Sequence, residues 1–463
     1  MNNQLQQSVT TQFDNKKVVI LGIGITGLSC ARFLHRHHIA FAVNDSRDMP
    51  ISPGDFKHQF ADNTLVLGRW DQKLIAQADV LIVSPGIDIT DAVINDAITD
   101  ECDVIGDIEL FCRLTKTPIL AVTGSNGKST VVSMLNHVGN TLGYKVQLGG
   151  NIGLPVLDQI EQAADFIVLE LSSFQLETVT SMAALSATVL NISDDHLDRH
   201  KTIENYAAIK QGIYRHCHTA IYNRDDAATI PSSAYAESAQ LSFGSDQPSA
   251  GQFGLGIIKG ESQLMFGDST LIAMKMMPLQ GIHNALNYLA VLALGKGAGW
   301  NLQAMLSSLQ TFKGLAHRCE VIESQDGICW VNDSKATNVG ATLAAIEGLA
   351  PTLANNKLIL IAGGDGKGAD FSPLTKALTE QVEHLITLGK DGRAIGHLRL
   401  PSQQAKTTHV DSLAEAVKLA RQHANKGDMV LLSPACASLD MFANYVERGV
   451  VFIKSVLLAK EHK

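Results

Sequence analysis

A lysine and a serine that close a glycine turn are phosphate-binding chemistry, and the chain carries them in Thr123-Gly124-Ser125-Asn126-Gly127-Lys128-Ser129-Thr130. Glycines let backbone N–H groups approach an anion, and a helix opening at Lys128 adds its positive end. Lys128 is placed to reach β- and γ-phosphates, and Ser129 to hold Mg²⁺. The strict P-loop spacing wants glycine where Val122 stands, so the first glycine here is Gly124.

A second phosphate pattern lies near the N-terminus. Gly22-Ile23-Gly24-Ile25-Thr26-Gly27 follows a β-branched run, and Asn44-Asp45 ends the next one. G-x-G-x-x-G with an acidic residue about 20 positions on reads as a dinucleotide site for NAD or FAD. A UDP-sugar satisfies the same chemistry, with a diphosphate on the helix N-terminus and Asp45 on a hydroxyl. This motif alone leaves the choice open. Glu170 and His196 close apolar runs and are expected at neighbouring strand ends, a pair suited to Mg²⁺ beside a γ-phosphate. In isolation, His196 in Ser193-Asp194-Asp195-His196 would be a hydrogen-bonding group of an acidic turn.

These residues need a scaffold of strands that each end in a loop. Apolar runs at 17–21, 41–43, 80–84, 119–122, 166–171, 188–192, 358–362, 385–388 and 429–432 alternate with helical patterns, which implies mostly parallel sheets. Ligand groups are then expected at the C-terminal strand ends. Helices are read at 28–37, 107–114, 203–215, 281–294, 339–349 and 412–424, with Lys210 on an otherwise ordinary face. Residues 319–323 and 328–332 flank a hairpin turn, and 244–260 reads as a Gly/Ser-rich insertion.

At 463 residues the chain exceeds one hydrophobic core. The expected class is α/β in three domains: a Rossmann-like unit at 1–115, a P-loop ATPase-type central unit at 116–314 with a mostly parallel sheet, and a Rossmann-like C-terminal unit at 315–463. The net charge of −9 argues against nucleic-acid or anionic-membrane partners. The 7 cysteines form no C-x-x-C pair, which fits a reducing cytoplasm. Residues 1–17 are polar, lack a signal core and read as a frayed tail. No apolar run reaches the roughly 18–20 residues of a membrane span, so a soluble cytoplasmic protein is expected.

The set TGSNGKS, ELSSFQLE, NISDDHLD, AAIKQGIY, GIHN, AHRCE, NDSKATN and LLSPACASLD runs in order along nearly the whole chain. It resembles the Mur ligase family, ATP-dependent amide-forming enzymes of peptidoglycan synthesis. The resemblance implies UDP-N-acetylmuramoyl-L-alanine, D-glutamate and ATP as substrates, joined through an acyl phosphate by a monomer. It implies that Ile25, Thr26, Asp45, Ser46, Arg47 and Gly86 hold the uridine diphosphate, so the first unit takes no dinucleotide. Gly124, Ser125, Asn126, Gly127, Lys128, Ser129 and Thr130 would hold the ATP phosphates, and Ser129 with Glu170 one Mg²⁺. Asn151 and His196 would face the substrate carboxylate, with His196 on a second Mg²⁺. Asn284 and Asn287 would flank the adenine, and Arg318, Asp333 and Lys335 would complete the ATP site. Thr337, Lys367, Ser438, Leu439 and Tyr445 would hold D-glutamate; Tyr445 stands where the family more often has Phe.

The resemblance also implies a catalytic Lys210 carrying a CO₂-derived carbamate. An ammonium about 5 Å from Mg²⁺ would be repelled by roughly 6–7 kcal/mol at an effective dielectric of about 20, whereas a carbamate would be attracted by as much. A depressed pKa favours the neutral amine that CO₂ needs. Lys128, His196 and Lys210 are thus the expected catalytic set. Because the third unit supplies Arg318 and Lys335, closure around ATP is expected, hinged near 312–317. Rival readings are another peptidoglycan ligase with a different acceptor, a folate–polyglutamate ligase, and an NAD-linked dehydrogenase. The folate enzyme should lack the Gly22–Asp45 unit, and the dehydrogenase would release no phosphate.

Overall fold

The computed structural model describes residues 3–235, 237–353 and 355–458. Five strands, β1 (Val18–Leu21), β2 (Phe41–Asp45), β3 (Thr64–Leu67), β4 (Val80–Val83) and β5 (Asp103–Ile105), form a parallel sheet in the order β3-β2-β1-β4-β5. All four residues of β1 and of β4 are buried, as strands covered on both faces require. The order reverses between β1 and β4, and there a crevice opens at the strand ends. The Gly22 turn after β1 and the Ser84-Pro85-Gly86 turn after β4 flank it, joined by the Ser84 hydroxyl donating to the Gly22 carbonyl (3.1 Å). Gly27 lets the following helix, Ile25–Arg36, sit directly on that turn, since a Cβ there would lie 1.8 Å from the Gly22 oxygen.

The N-terminal stretch is no frayed tail. A helix, Asn3–Phe13, buries Leu5, Val9 and Phe13 at four-residue spacing against the first core. Its Gln6 side chain meets His37 Nδ1 at 2.8 Å. Met1 and Asn2 lie outside the described residues.

The second sheet is also parallel. Strands β6 (Ile119–Thr123), β7 (Val146–Gly150), β8 (Phe166–Glu170), β9 (Ser186–Val189), β10 (Thr219–Asn223) and β11 (Ala239–Phe243) run in the order β11-β10-β9-β6-β8-β7. This corrects one expectation. Glu170 and His196 do not follow adjacent strands, because β6 lies between β8 and β9 and puts the phosphate loop between the two side chains' loops. The 244–260 stretch is corrected as well: its end is β12 (Phe253–Ile258), paired antiparallel with β13 (Glu261–Phe266), which pairs with β14 (Ser269–Ala273).

In the third sheet β15 (Glu320–Ile322) lies antiparallel to β16 (Cys329–Asn332). Strands β17 (Leu358–Gly363), β18 (His384–Leu388), β19 (Thr407–His409) and β20 (Met429–Leu432) complete the order β15-β16-β20-β17-β18-β19, parallel from β16 onward.

A buried carboxylate and a partly exposed ion pair join the first sheet's unit to the second. Glu109, on the helix Asp107–Leu114, accepts from the Thr180 and Ser181 amides (2.8 and 3.0 Å) and from Arg113 (2.8 Å). Arg32 bonds Asp158 across the same boundary. Among the described residues no helix is long and apolar enough to cross a membrane, and the seven cysteines are unpaired.

Candidate active site

A cavity of about 780 Å³ occupies the reversal point of the first sheet and reaches the second. Ile25, Thr26, Asp45, Ser46, Arg47 and Gly86, the six positions expected to hold the uridine diphosphate, line it together with Asn151, expected at the substrate carboxylate. Asp45, however, does not offer a vacant carboxylate to a hydroxyl. Its Oδ1 accepts from the Arg47 amide and Nε, and its Oδ2 from the Ile23 amide and Arg47 Nη2, at 2.7–2.9 Å. Burial alone would raise this carboxyl; Arg47 and the Ile23 amide outweigh it and hold it below the ordinary carboxylate range. Asp45 therefore aims the exposed Arg47 at the cavity.

The far wall comes from the second sheet. After Glu170, Ser172 and Gln175 form a reciprocal capping box that fixes the turn Ser173–Leu176. Ser172, Phe174 and Gln175 line the cavity, and the His196 ring packs against Phe174 at 4.8 Å between centroids. His196 adopts left-handed backbone (φ 54°), and its Nε2 lies 3.6 Å from Asp195. Asn151 bridges the cavity to Glu170, lining the first and donating to Glu170 Oε1 at 2.8 Å.

The phosphate loop is held from β9. Asn191 accepts from the Asn126 amide (2.8 Å) and donates to its carbonyl (3.2 Å), while the Ser125 amide donates to the Asn191 carbonyl (2.9 Å). Gly124 and Gly127 take φ of 145° and 83°, and a Cβ on Gly127 would fall 2.7 Å from the Asn287 side chain. The helix Lys128–Thr141 starts there. Lys128 Nζ folds onto the Gly124 and Ser125 carbonyls (2.6 and 2.8 Å), and the Lys335 ammonium donates to the Ser129 hydroxyl (2.6 Å).

Lys210 corrects the expectation of an ordinary helix face. Its side chain is 1% exposed, over the Tyr206 ring, donating to Thr123 Oγ1 and the Gly124 carbonyl, both at 3.1 Å. Burial, then the Lys128 charge, push its ammonium well below the ordinary lysine range against Asp195 and Glu170. Lys128 is lowered by burial, then Arg318, although Glu170 and Asp195 oppose this. Lys335 falls to about 8 through burial, Arg318 and Lys128, with Glu170 opposing. Three lysines thus face Glu170, with Arg318 beside two of them; Glu170 Oε2 is buried without a partner, as is Arg318 Nε. Such a cluster is built for a polyanion, and the orphaned carboxylate oxygen for a cation.

A second cavity, about 310 Å³, opens from the loop between the second and third sheets. Asn126, Gly127, Thr130, Asn284, Asn287, Arg318 and Asp333 line it. Gly124, Ser125, Lys128, Ser129 and Lys335 stand beside it through the bonds above. Asp333 accepts from Ser433 (2.8 Å) and the Cys319 amide (3.2 Å); burial lifts its pKa to about 6 against these partners and Arg318.

The residues expected to hold D-glutamate line neither cavity. Thr337 follows β16, Lys367 follows β17, and Ser438 and Leu439 follow β20, all at one end of the third sheet. Asp365 and Ala437 exchange backbone hydrogen bonds that tie the last two loops. Ser438 is buried, whereas Lys367 and Leu439 are exposed. Tyr445 packs under Lys335 (5.3 Å) and, more distantly, beside His317 (6.4 Å).

Several participants went unread in the sequence. Asn191 opens the NISDD run, and Tyr206 sits one turn before Lys210, spacing that places them together on a helix. His283, held near pKa 4 by burial and then Arg318, lines the adenine-sized cavity within GIHN.

Three separate α/β units, a phosphate loop facing a cation from the third, and a Rossmann-like cavity walled by the first and second define an ATP-dependent ligase architecture. Residues 16–106 match the MurD-like N-terminal domain of Mur ligases, 122–295 the Mur ligase middle domain, and 317–436 the Mur ligase glutamate ligase domain. The chain belongs to the Mur ligase family. It is 53% identical to the UDP-N-acetylmuramoylalanine--D-glutamate ligase of Colwellia psychrerythraea, covering 96% of this chain and 98% of that one. It is 45% identical to the enzyme of the same name from Marinobacter nauticus, over 95% and 97%. The fold is similar to that of MurF from Acinetobacter baumannii (TM-score 0.63, 18% identity, 98% of each chain). It is equally similar to MurF ligase of Thermotoga maritima, solved with ADP (TM-score 0.63, 16% identity, 98% and 99%).

Proposed function

We propose that the protein joins D-glutamate to UDP-N-acetylmuramoyl-L-alanine, with ATP converted to ADP and phosphate. The single observation that carries the reading is Asn151, which lines the large cavity and at the same time bonds Glu170 at the cation cluster. A substrate anchored at Gly22–Arg47 thereby ends beside the phosphates. In this reading 1–115 binds the UDP-substrate, 116–314 the ATP and 315–463 the amino acid.

The alanyl carboxylate attacks the γ-phosphorus in line. Lys128, Arg318 and Lys335 neutralise charge that builds on the transferring phosphoryl group. The resulting acyl phosphate has a good leaving group. The D-glutamate amine attacks its carbonyl and loses a proton to a base, and the tetrahedral adduct collapses with loss of phosphate. Thr337, Lys367, Ser438, Leu439 and Tyr445 would present that amine from the third sheet, with the loops after β16, β17 and β20 folding around the amino acid. Contact between this unit and the phosphate loop excludes water from the acyl phosphate.

Ser129 and the orphaned Glu170 oxygen would hold one Mg²⁺, and His196 with a carbamylated Lys210 a second. Bound Mg²⁺ supplies charge neutralisation at the phosphates. Lys210 fits the modification because its amine is buried, depressed by burial and the Lys128 charge, and held by two neutral acceptors. Unpaired cysteines fit a cytoplasmic setting, and the reading takes the active form to be a monomer.

The test is phosphate release from ATP and UDP-N-acetylmuramoyl-L-alanine with D-glutamate, L-alanine, L-lysine or meso-diaminopimelate added in turn. Release should require D-glutamate. Release with another acceptor would overturn the assignment.

A further inference from the structure

The third sheet carries a cavity at the end opposite the loops described above. It measures about 470 Å³ and lies where β17 and β18 begin, walled by the segments Ala350–Leu353 and Pro401–Lys406 and the end of the helix Thr375–Glu380. Arg399 lines it and is 4% exposed, yet its Nε and Nη1 have no hydrogen-bond partner and no carboxylate forms an ion pair with it among the described residues. A buried guanidinium is ordinarily matched to a carboxylate or phosphate, because five fixed donors left unpaired are costly.

The surrounding polar groups repeat the pattern. Thr379 Oγ1, Gln381 Oε1 and Gln403 Oε1 are likewise buried without partners and line the same cavity. The Gln403 amide nitrogen is spent on the Thr379 carbonyl (2.9 Å), which leaves its oxygen as an acceptor. Lys357 and Lys406 stand at the rim and share one acid, Glu383 (3.2 and 2.7 Å). Glu383 also acts on Arg399, and Glu380 lines the cavity, so three cations face two carboxylates and one positive charge is in excess. Donors and acceptors unsatisfied side by side describe a site with its ligand missing from the arithmetic.

We propose that this cavity is a second binding site, for a small oxyanion that also carries a hydroxyl or ammonium donor. The oxyanion, a carboxylate or a phosphate, takes the Arg399 guanidinium and the Thr379 hydroxyl, with Lys357 or Lys406 swinging in from the rim. The donor serves the Gln381 and Gln403 oxygens. Because the site opens at the starts of the strands, whereas Lys367 and Ser438 lie past their ends, its ligand touches no reacting group. It acts on the packing of the third domain.

The test uses the full chain labelled with ¹⁵N-arginine, reading the Arg399 Nε–Hε resonance, assigned by its absence in Arg399→Lys. Inorganic phosphate, glycine and sodium chloride are titrated separately. A saturable shift with phosphate alone identifies a phosphate ligand, one with glycine alone an amino-carboxylate, and one with both the shared chemistry. In Thr379→Val, which keeps the side-chain volume, the same titration should be about threefold to tenfold weaker. No shift, a shift that chloride reproduces, or a titration unchanged in Thr379→Val would overturn the proposal. Should Arg399→Lys fail to fold, the resonance is assigned by its selective response to Thr379→Val, and the same outcomes apply.

Discussion

The Lys335 ammonium, carried on the loop after β16, donates a 2.6 Å hydrogen bond to the Ser129 hydroxyl at the first turn of the phosphate-loop helix. One side chain therefore spans two domains and ends at the first turn of the phosphate-loop helix, where the proposed reading puts the β- and γ-phosphates. Its neighbour Asn338 repeats the contact, donating to Asn126 at 3.1 Å. Replacing Lys335 with Met removes a donor that acts on charge developed in the transition state. We expect kcat to fall by about 10²–10³-fold, with the KM for the UDP-substrate nearly unchanged, in steady-state assays of phosphate release.

The same lysine makes nucleotide binding proton-linked. Without nucleotide its pKa is drawn down to about 8 by burial, Arg318 and Lys128. A triphosphate favours the charged form and raises that pKa, so binding takes up a proton at pH values above about 8. Below it the lysine is already charged in both states and the uptake vanishes. Calorimetry of a nonhydrolysable ATP analogue in buffers of different ionisation enthalpy reads this directly. The uptake in the wild type minus that in Lys335→Gln should be positive near pH 9 and absent near pH 7.

Lys210 gives a chemical prediction. Its amine is buried and depressed, the state that reacts with CO₂. Enzyme stripped of CO₂ at low pH and assayed at once should be slow, and bicarbonate should restore the rate. Lys210→Arg, a cation that cannot carry the carbamate, should be inactive and unaffected by added bicarbonate or chloride. Full activity in that variant would exclude the modification.

A fourth expectation concerns the N-terminal helix. Phe13 is buried in the first core, so Phe13→Ala should cost about 3 kcal/mol or more in the first urea unfolding transition. Thr10 lies on the helix's exposed side, and Thr10→Ala should change stability by less than about 0.5 kcal/mol.

That helix also marks a limit of what could be read from the residues. Three apolar positions among glutamines and threonines are a weak stripe until the surface that receives them is known. The phosphate loop was legible because glycine conformation, lysine and helix start are local, and a strand of four or five apolar residues is local too. Strand order is not. Nothing in Glu170 or His196 announces that β6 passes between their strands, since a parallel sheet is assembled by long crossovers. Lys210 was visible by family resemblance, but its burial depends on Thr123 and Tyr206 closing over it. Asp45 shows the reverse case: the residue type suggested a ligand contact, and Arg47, two positions on, absorbs both oxygens. The acceptor residues were the least legible, because they sit on three loops that only the third sheet brings to one end.

The central claim is that the cation cluster around Glu170 turns a carboxylate into an acyl phosphate. Substrate labelled with ¹⁸O in both alanyl carboxylate oxygens tests it most directly. Phosphate released in the presence of ATP and D-glutamate should carry one ¹⁸O, and the new amide the other. Unlabelled phosphate, with the second label lost to water instead, would contradict the account.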